Sequence, residues 1–120
     1  MDTKLDLSIL REDFDTESIY SILELTLESI AKNINLINTG LETKDQKKIF
    51  RGCHTLKSLG FLGDNIFVVK KSTILTHIVR DKEFNDINLK LFSKIFMEFI
   101  KESDELKLEI VDIIQKKNIK

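Results

Sequence analysis

Proline and tryptophan are absent from this chain, glycine occurs four times, and cysteine and tyrosine once each. Without proline, no helix is interrupted by a missing N–H. With so few glycines, there is little material for long flexible connections. Leu, Ile, Lys and Glu are abundant, and that balance favours helices joined by short turns. The single Cys53 excludes an internal disulfide and suits a buried thiol in a reducing compartment. No apolar run approaches the ~20 residues that cross a bilayer. Met1-Asp2-Thr3-Lys4-Leu5-Asp6 has no apolar core of a signal peptide. The expectation is a cytoplasmic protein without membrane insertion.

Other chemistries are missing as well. The formal net charge is −1, so no global field points to nucleic acid. The sequence has no Gly-rich nucleotide loop and no acidic triplet of the kind that holds Mg²⁺. His54, His77 and Cys53 do not have zinc-ligand spacing. Adjacent helix positions diverge by about 100°, so Cys53 and His54 do not form a nucleophile–base pair. No metal and no cofactor are expected.

What remains is an ordinary globular composition, 42% hydrophobic and 32% charged, over 120 residues. Residues 1–120 are read as one domain. Residues 6–12 form a short helix around Leu7, Ile9 and Leu10, covering one end of the molecule. Asp15 caps a long helix whose buried face is Ile19, Ile22, Leu23, Thr26, Leu27, Ile30, Ile34 and Ile37, and Gly40 ends it. Thr43 and Gln46 form a capping box for the next helix, which runs into Gly60–Gly63. Asp64 caps a further helix with Ile66, Phe67, Val69, Lys70, Ile74, Ile78 and Val79 on its inner face, and Arg80-Asp81-Lys82-Glu83 is a charged turn. Asp86 caps the last stretch, where Ile87, Leu91, Phe92, Ile95, Phe96 and Phe99 form an apolar stripe. Leu106, Ile110, Ile113 and Ile114 resume that stripe after Ser103, and Lys116, Lys117 and Lys120 close the chain. One helix over 86–117 would be ~48 Å long. A break near Ser103 is therefore expected.

The stretch with most chemical content is Gly52-Cys53-His54-Thr55-Leu56-Lys57-Ser58-Leu59-Gly60-Phe61-Leu62-Gly63. On a helical wheel Ile49, Gly52, Cys53, Leu56, Leu59 and Gly60 share one side, opposite His54. Lys47, Phe50, Arg51, Lys57, Ser58 and Phe61 fall within about 60° of His54. The imidazole thus points away from the core stripe, among cations and two phenyl rings. His77 has no cationic neighbour at matching spacing and reads as structural.

His-Thr-Leu-Lys, a small residue and a Gly-Phe-Leu-Gly turn resemble the signature of histidine-containing phosphotransfer domains. The version is similar to the phosphoacceptor domain of chemotaxis-type histidine kinases. The order of a long helix, a charged turn, the histidine helix and further helices extends the resemblance over most of the chain. Two departures stand out. Ser58 occupies a position where the family usually has glycine, and Gly63 follows His54 one residue sooner than is usual.

The resemblance implies an all-α fold, an antiparallel four-helix bundle with a short N-terminal helix and an additional C-terminal helical segment. It implies His54 as phosphoacceptor and Lys57 as the group that offsets phosphoryl charge. Lys47, Phe50, Arg51, Ser58 and Phe61 would form a partner-binding patch. An exposed imidazole can act as a nucleophile without a buried base. The implied role is a phosphoryl carrier, not an enzyme, with no small-molecule substrate. Its partners would be a response-regulator receiver domain, a histidine kinase, or both. Two alternatives stand beside it: a phosphoacceptor module serving a chemotaxis-type kinase in trans, and an adaptor of the same shape that binds without transfer.

Overall fold

The computed structural model describes residues 5–62, 67–81 and 85–119. Gly63, Asp64, Ile66, Lys82, Glu83 and Lys120 lie outside the described residues, as do the side chains of Phe67, Asp81 and Lys117. Among the described residues the structure is all-helical: α1 (Ser8–Asp13), α2 (Thr16–Thr43), α3 (Gln46–Lys57), a 3-10 turn (Ser58–Leu62), α4 (Phe67–Asp81) and α5 (Asp86–Ile119). Helix α2 packs on α3, α3 on α4, α4 on α5, and α5 back on α2. The result measures 51 × 25 × 22 Å. No helix among the described residues is long and apolar enough to cross a membrane.

Helix α1 packs against α2 and the 3-10 turn, where the Asp6 N–H donates to Leu62 O at 2.9 Å. The Asp6 carboxylate accepts from the Ser8 hydroxyl and backbone N–H, and those two bonds hold it below the usual carboxylate range. Leu10 is the buried residue of α1. A short helix is present here as expected, but it starts at Ser8, and Ile9 is 42% exposed instead of packed.

Asp15 caps α2 as expected, accepting from the Ser18 N–H at 2.7 Å. The buried positions of α2 are Ile19, Leu23, Thr26, Ile30, Asn33, Ile37 and Gly40. Steps of four and three alternate without a gap, so one narrow seam faces the neighbouring helices. Ile22, Leu27 and Ile34 flank that seam half-buried. The seam overturns the role expected for Gly40. It does not end α2 but lies inside it, buried against α3.

The helix ends instead at Thr43, and Lys44 takes the left-handed conformation (φ 55°). Thr43 is not the cap of α3. Its hydroxyl donates back to Thr39 O at 2.9 Å, while Asp45 caps α3 by accepting from the Lys48 N–H at 3.1 Å. Gln46 does not reach back either; its amide donates to Val79 O and ties the start of α3 to the end of α4. Helix α3 buries Ile49, Gly52, Cys53 and Leu56, the face expected from the wheel. It ends at Lys57, and Leu59 and Leu62 of the 3-10 turn continue into the core. Burial pushes the Cys53 thiol up to about 12, so it is a packing residue.

Helix α4 is rotated from its expected setting. Val68, Ser72, Leu75, Thr76, Ile78 and Val79 are buried, whereas Ile74 is 48% exposed and Lys70 is exposed. The hydroxyls explain the difference. Ser72 donates to Val68 O and Thr76 to Ser72 O, so both enter the core with their polar atoms satisfied.

Helix α5 corrects the expected break. It runs unbroken from Asp86 to Ile119, and Asn85, not Asp86, caps it by accepting from the Asn88 N–H at 3.0 Å. Among the described residues there is no separate C-terminal helical segment. Phe92, Phe96, Phe99, Ser103, Leu106 and Ile110 are all buried at alternating steps of four and three. Ser103 continues the seam as a small member, its hydroxyl bonded to Ile100 O at 2.8 Å. The long axis of the molecule matches a helix of this length.

Next to Ser103, Glu102 is only 8% exposed and pairs with Lys71 of α4. Lys71 also lies 3.9 Å from Glu98. Removing the cation strands a mostly buried carboxylate, and breaking such pairs is strongly destabilising. Lys71→Ala is expected to lower stability by about 2–3 kcal/mol in urea denaturation, after a discount for the partial exposure of Lys71. The double change Lys71→Met with Glu102→Leu is expected to recover most of that loss. A double variant less stable than Lys71→Ala would contradict this account.

Candidate functional site

The outward face of α3 carries the candidate site. Its position is set by the opposite face, where Gly52 lets α3 approach α2 closely and Ile49, Cys53 and Leu56 anchor it in the core. His54 is exposed. Its ring stacks on that of Phe50, one turn earlier, with centroids 5.6 Å apart and planes 12° from parallel. No described residue hydrogen-bonds either imidazole nitrogen. The ring is therefore oriented by stacking at an exposed position, with no bond from a described residue to its nitrogens.

Lys57 lies one turn beyond His54 and is half-buried, a few ångströms along the same face. Lys47, Arg51 and Ser58 are exposed, as the wheel requires. Thr55 and Ser58 do not compete for the imidazole, because their hydroxyls donate to Arg51 O at 2.9 Å and Thr55 O at 2.6 Å. Phe61 sits in the 3-10 turn, half-buried against the core. The structure thus places Phe50, Arg51 and Lys57 on the same helix as His54, and Ser58 and Phe61 on the 3-10 turn that follows.

Phe50 differs from its expected state as a bare surface ring. It is half-buried, packed on the core along one edge and stacked on His54 along its face. Truncating a fully buried Phe costs about 3–5 kcal/mol, so Phe50→Ala is expected to cost about 1–2 kcal/mol here. The His54 ring protons should move downfield as the ring current is lost. A melt together with the imidazole proton spectrum checks both effects, and unchanged His54 resonances would contradict the stacking.

His77 also differs from expectation. It has a cationic neighbour, Arg80, whose guanidinium donates to His77 Nδ1 at 2.9 Å. The i,i+3 spacing puts Arg80 and His77 on one face of α4. Both residues are exposed. Among the described residues no three His, Cys, Asp or Glu side chains gather into a metal site.

A second feature escaped the sequence reading. An open groove of about 1180 Å³ runs from the α2–α3 turn along the start of α3 to the end of α4. Lys44, Lys47, Arg51 and Arg80 line it, with Phe50 and Val79 as apolar members and Asp45 as its carboxylate. Only the Lys47–Arg51 spacing signalled it, because Arg80 comes from a helix distant in sequence.

In comparisons with family models, curated proteins and solved structures, nothing matches this chain. Function therefore rests on the site itself.

Proposed function

We propose that this chain is a histidine phosphotransfer protein of a cytoplasmic two-component phosphorelay, with α2 to α5 arranged as an antiparallel four-helix bundle. The observation that carries the reading is the state of His54. Its ring is exposed and held flat against Phe50, and no described residue bonds its nitrogens. A nucleophile that a second protein must reach needs that combination of access and orientation. The closed circuit of helix contacts supports the bundle, and the resemblance around His54 supplies the reaction class.

In the proposed step a lone pair on a neutral imidazole nitrogen attacks the phosphorus of an aspartyl phosphate on the partner. An N–P bond forms, the acyl O–P bond breaks, and the aspartate leaves as a carboxylate. Charge on the transferring phosphoryl group is offset by Lys57 from one side. The partner supplies Mg²⁺ and its carboxylate ligands. Ser58, small and exposed, leaves room for the partner's loop beside the ring. Lys47, Phe50, Arg51 and Phe61 complete the docking patch.

Two incubations test this: one with a phosphorylated receiver domain, one with a histidine kinase and ATP. Label should reach His54 from at least one donor. Lys57→Ala should slow transfer at saturating partner by about tenfold and change binding little, because its charge acts mainly as phosphoryl charge develops. Binding of either partner with no transfer would instead favour the adaptor.

A further inference from the structure

The groove at the α2–α3 turn shares Lys47, Phe50 and Arg51 with the docking patch proposed around His54 and extends it to Lys44, Val79 and Arg80. We infer that it is a docking site for an acidic peptide segment of a partner protein, one with apolar side chains between its carboxylates. The inference does not depend on His54 carrying phosphate.

Among the described residues the charge on its banks is one-sided. Lys44, Lys47 and Arg51 form no ion pair among the described residues, and Arg80 faces them from the end of α4. Asp45, the carboxylate in this lining, is occupied as the cap of α3 through the Lys48 N–H. Lys47 and Arg51 stand one turn apart on α3, so their charges form a row along one bank. Between the banks lie the Phe50 ring and Val79. Basic rims around an apolar floor complement a segment that alternates carboxylates with apolar side chains.

The banks are also fixed in advance. Gln46 bonds Val79 O and so holds the start of α3 to the end of α4. A partner segment would not have to order the groove as it binds. The groove is open and spans the α2–α3 turn, the start of α3 and the end of α4, which suits an extended segment better than one small anion. The net charge of −1 argues against nucleic acid, since the rest of the surface would repel it.

The test uses a fluorescein-labelled peptide with the repeat Glu-Glu-Leu, its counterpart with Lys in place of Glu, and a labelled single-stranded oligonucleotide. The Glu peptide should bind tightest, and raising salt should weaken it. Its amide shift changes should be confined to residues 44–51 and 79–80. Lys44→Gly should weaken binding about threefold, and Lys44→Gly with Lys47→Gln about tenfold. Lys94→Gln, on exposed α5 surface away from the groove, should change nothing. Lys44 is at φ 55°, so glycine there should raise the melting temperature, which separates lost binding from lost folding. Failure of the Glu peptide to bind, equal binding of the Lys peptide, tighter binding of the oligonucleotide, or shifts elsewhere would each overturn the inference.

Discussion

Gly52→Leu is expected to destabilise the protein by about 3 kcal/mol or more, toward the top of the range for overpacked cores. A Cβ at Gly52 would fall 2.6 Å from Cγ1 and 3.3 Å from Cδ1 of Ile37, and 3.1 Å from the carbonyl oxygen of Asn33. The last of these is backbone and cannot rotate aside. The same closeness recurs at Gly40, where a Cβ would meet Ile49 Cγ1 at 2.6 Å and its backbone nitrogen at 3.1 Å. Two glycines, one from each helix, therefore set the separation of α2 and α3.

Gly52→Ala sharpens the test because two effects oppose. Alanine gains about 1 kcal/mol of helix propensity over glycine, while overpacking costs about 1–3 kcal/mol. With backbone in the way the clash should win, and Gly52→Ala should lower the urea midpoint. Adding Ile37→Ala removes the Cγ1 and Cδ1 contacts, so the two losses should sum to more than the measured double-mutant loss. A more stable Gly52→Ala variant would show that the helices are further apart. The site depends on this spacing, since the face opposite Gly52 is the one that presents His54.

How far these features can be read from sequence depends on residue type. In α3 and the 3-10 turn after it, the stripe Ile49, Cys53, Leu56 and Leu59 is apolar throughout, and its burial follows from period alone. In α5 and α4 the seam passes through Ser103, Ser72 and Thr76, which a search for hydrophobic residues treats as gaps. Their hydroxyls bond carbonyls of their own helix, so they behave as small core residues. The expected break in α5 and the misplaced face of α4 share that cause.

Glycine is ambiguous in sequence for a related reason. Near a helix end it signals a left-handed cap, and it also signals close packing, and sequence does not separate these roles. Gly40 serves packing, and Lys44 takes the left-handed cap. In the candidate site, the outward direction of His54 was legible from the wheel. The stack with Phe50 was not, because period places the two rings on one face without saying whether they touch. The groove was least legible, being assembled by a bond between Gln46 and Val79 across two helices.

The largest functional effect is expected from His54→Gln, which should abolish phosphoryl transfer. Glutamine keeps a polar side chain at an exposed position and lacks a nucleophilic ring nitrogen. The stability change should stay below about 0.5 kcal/mol, as for other surface substitutions. His77 is the other imidazole in the chain. It lies on α4 with Nδ1 bonded by Arg80, so His77→Gln should leave transfer intact. The pair of variants separates loss of a nucleophile from loss of a histidine.

The measurement that bears most directly on this account is the amount and chemistry of label on the protein after incubation with a phosphorylated receiver or a kinase and ATP. The account predicts one phosphoryl group per chain, lost in acid and retained in base as a phosphoramidate is, present in His77→Gln and absent in a folded His54→Gln. Label that survives in His54→Gln, or that disappears only in His77→Gln, would contradict it.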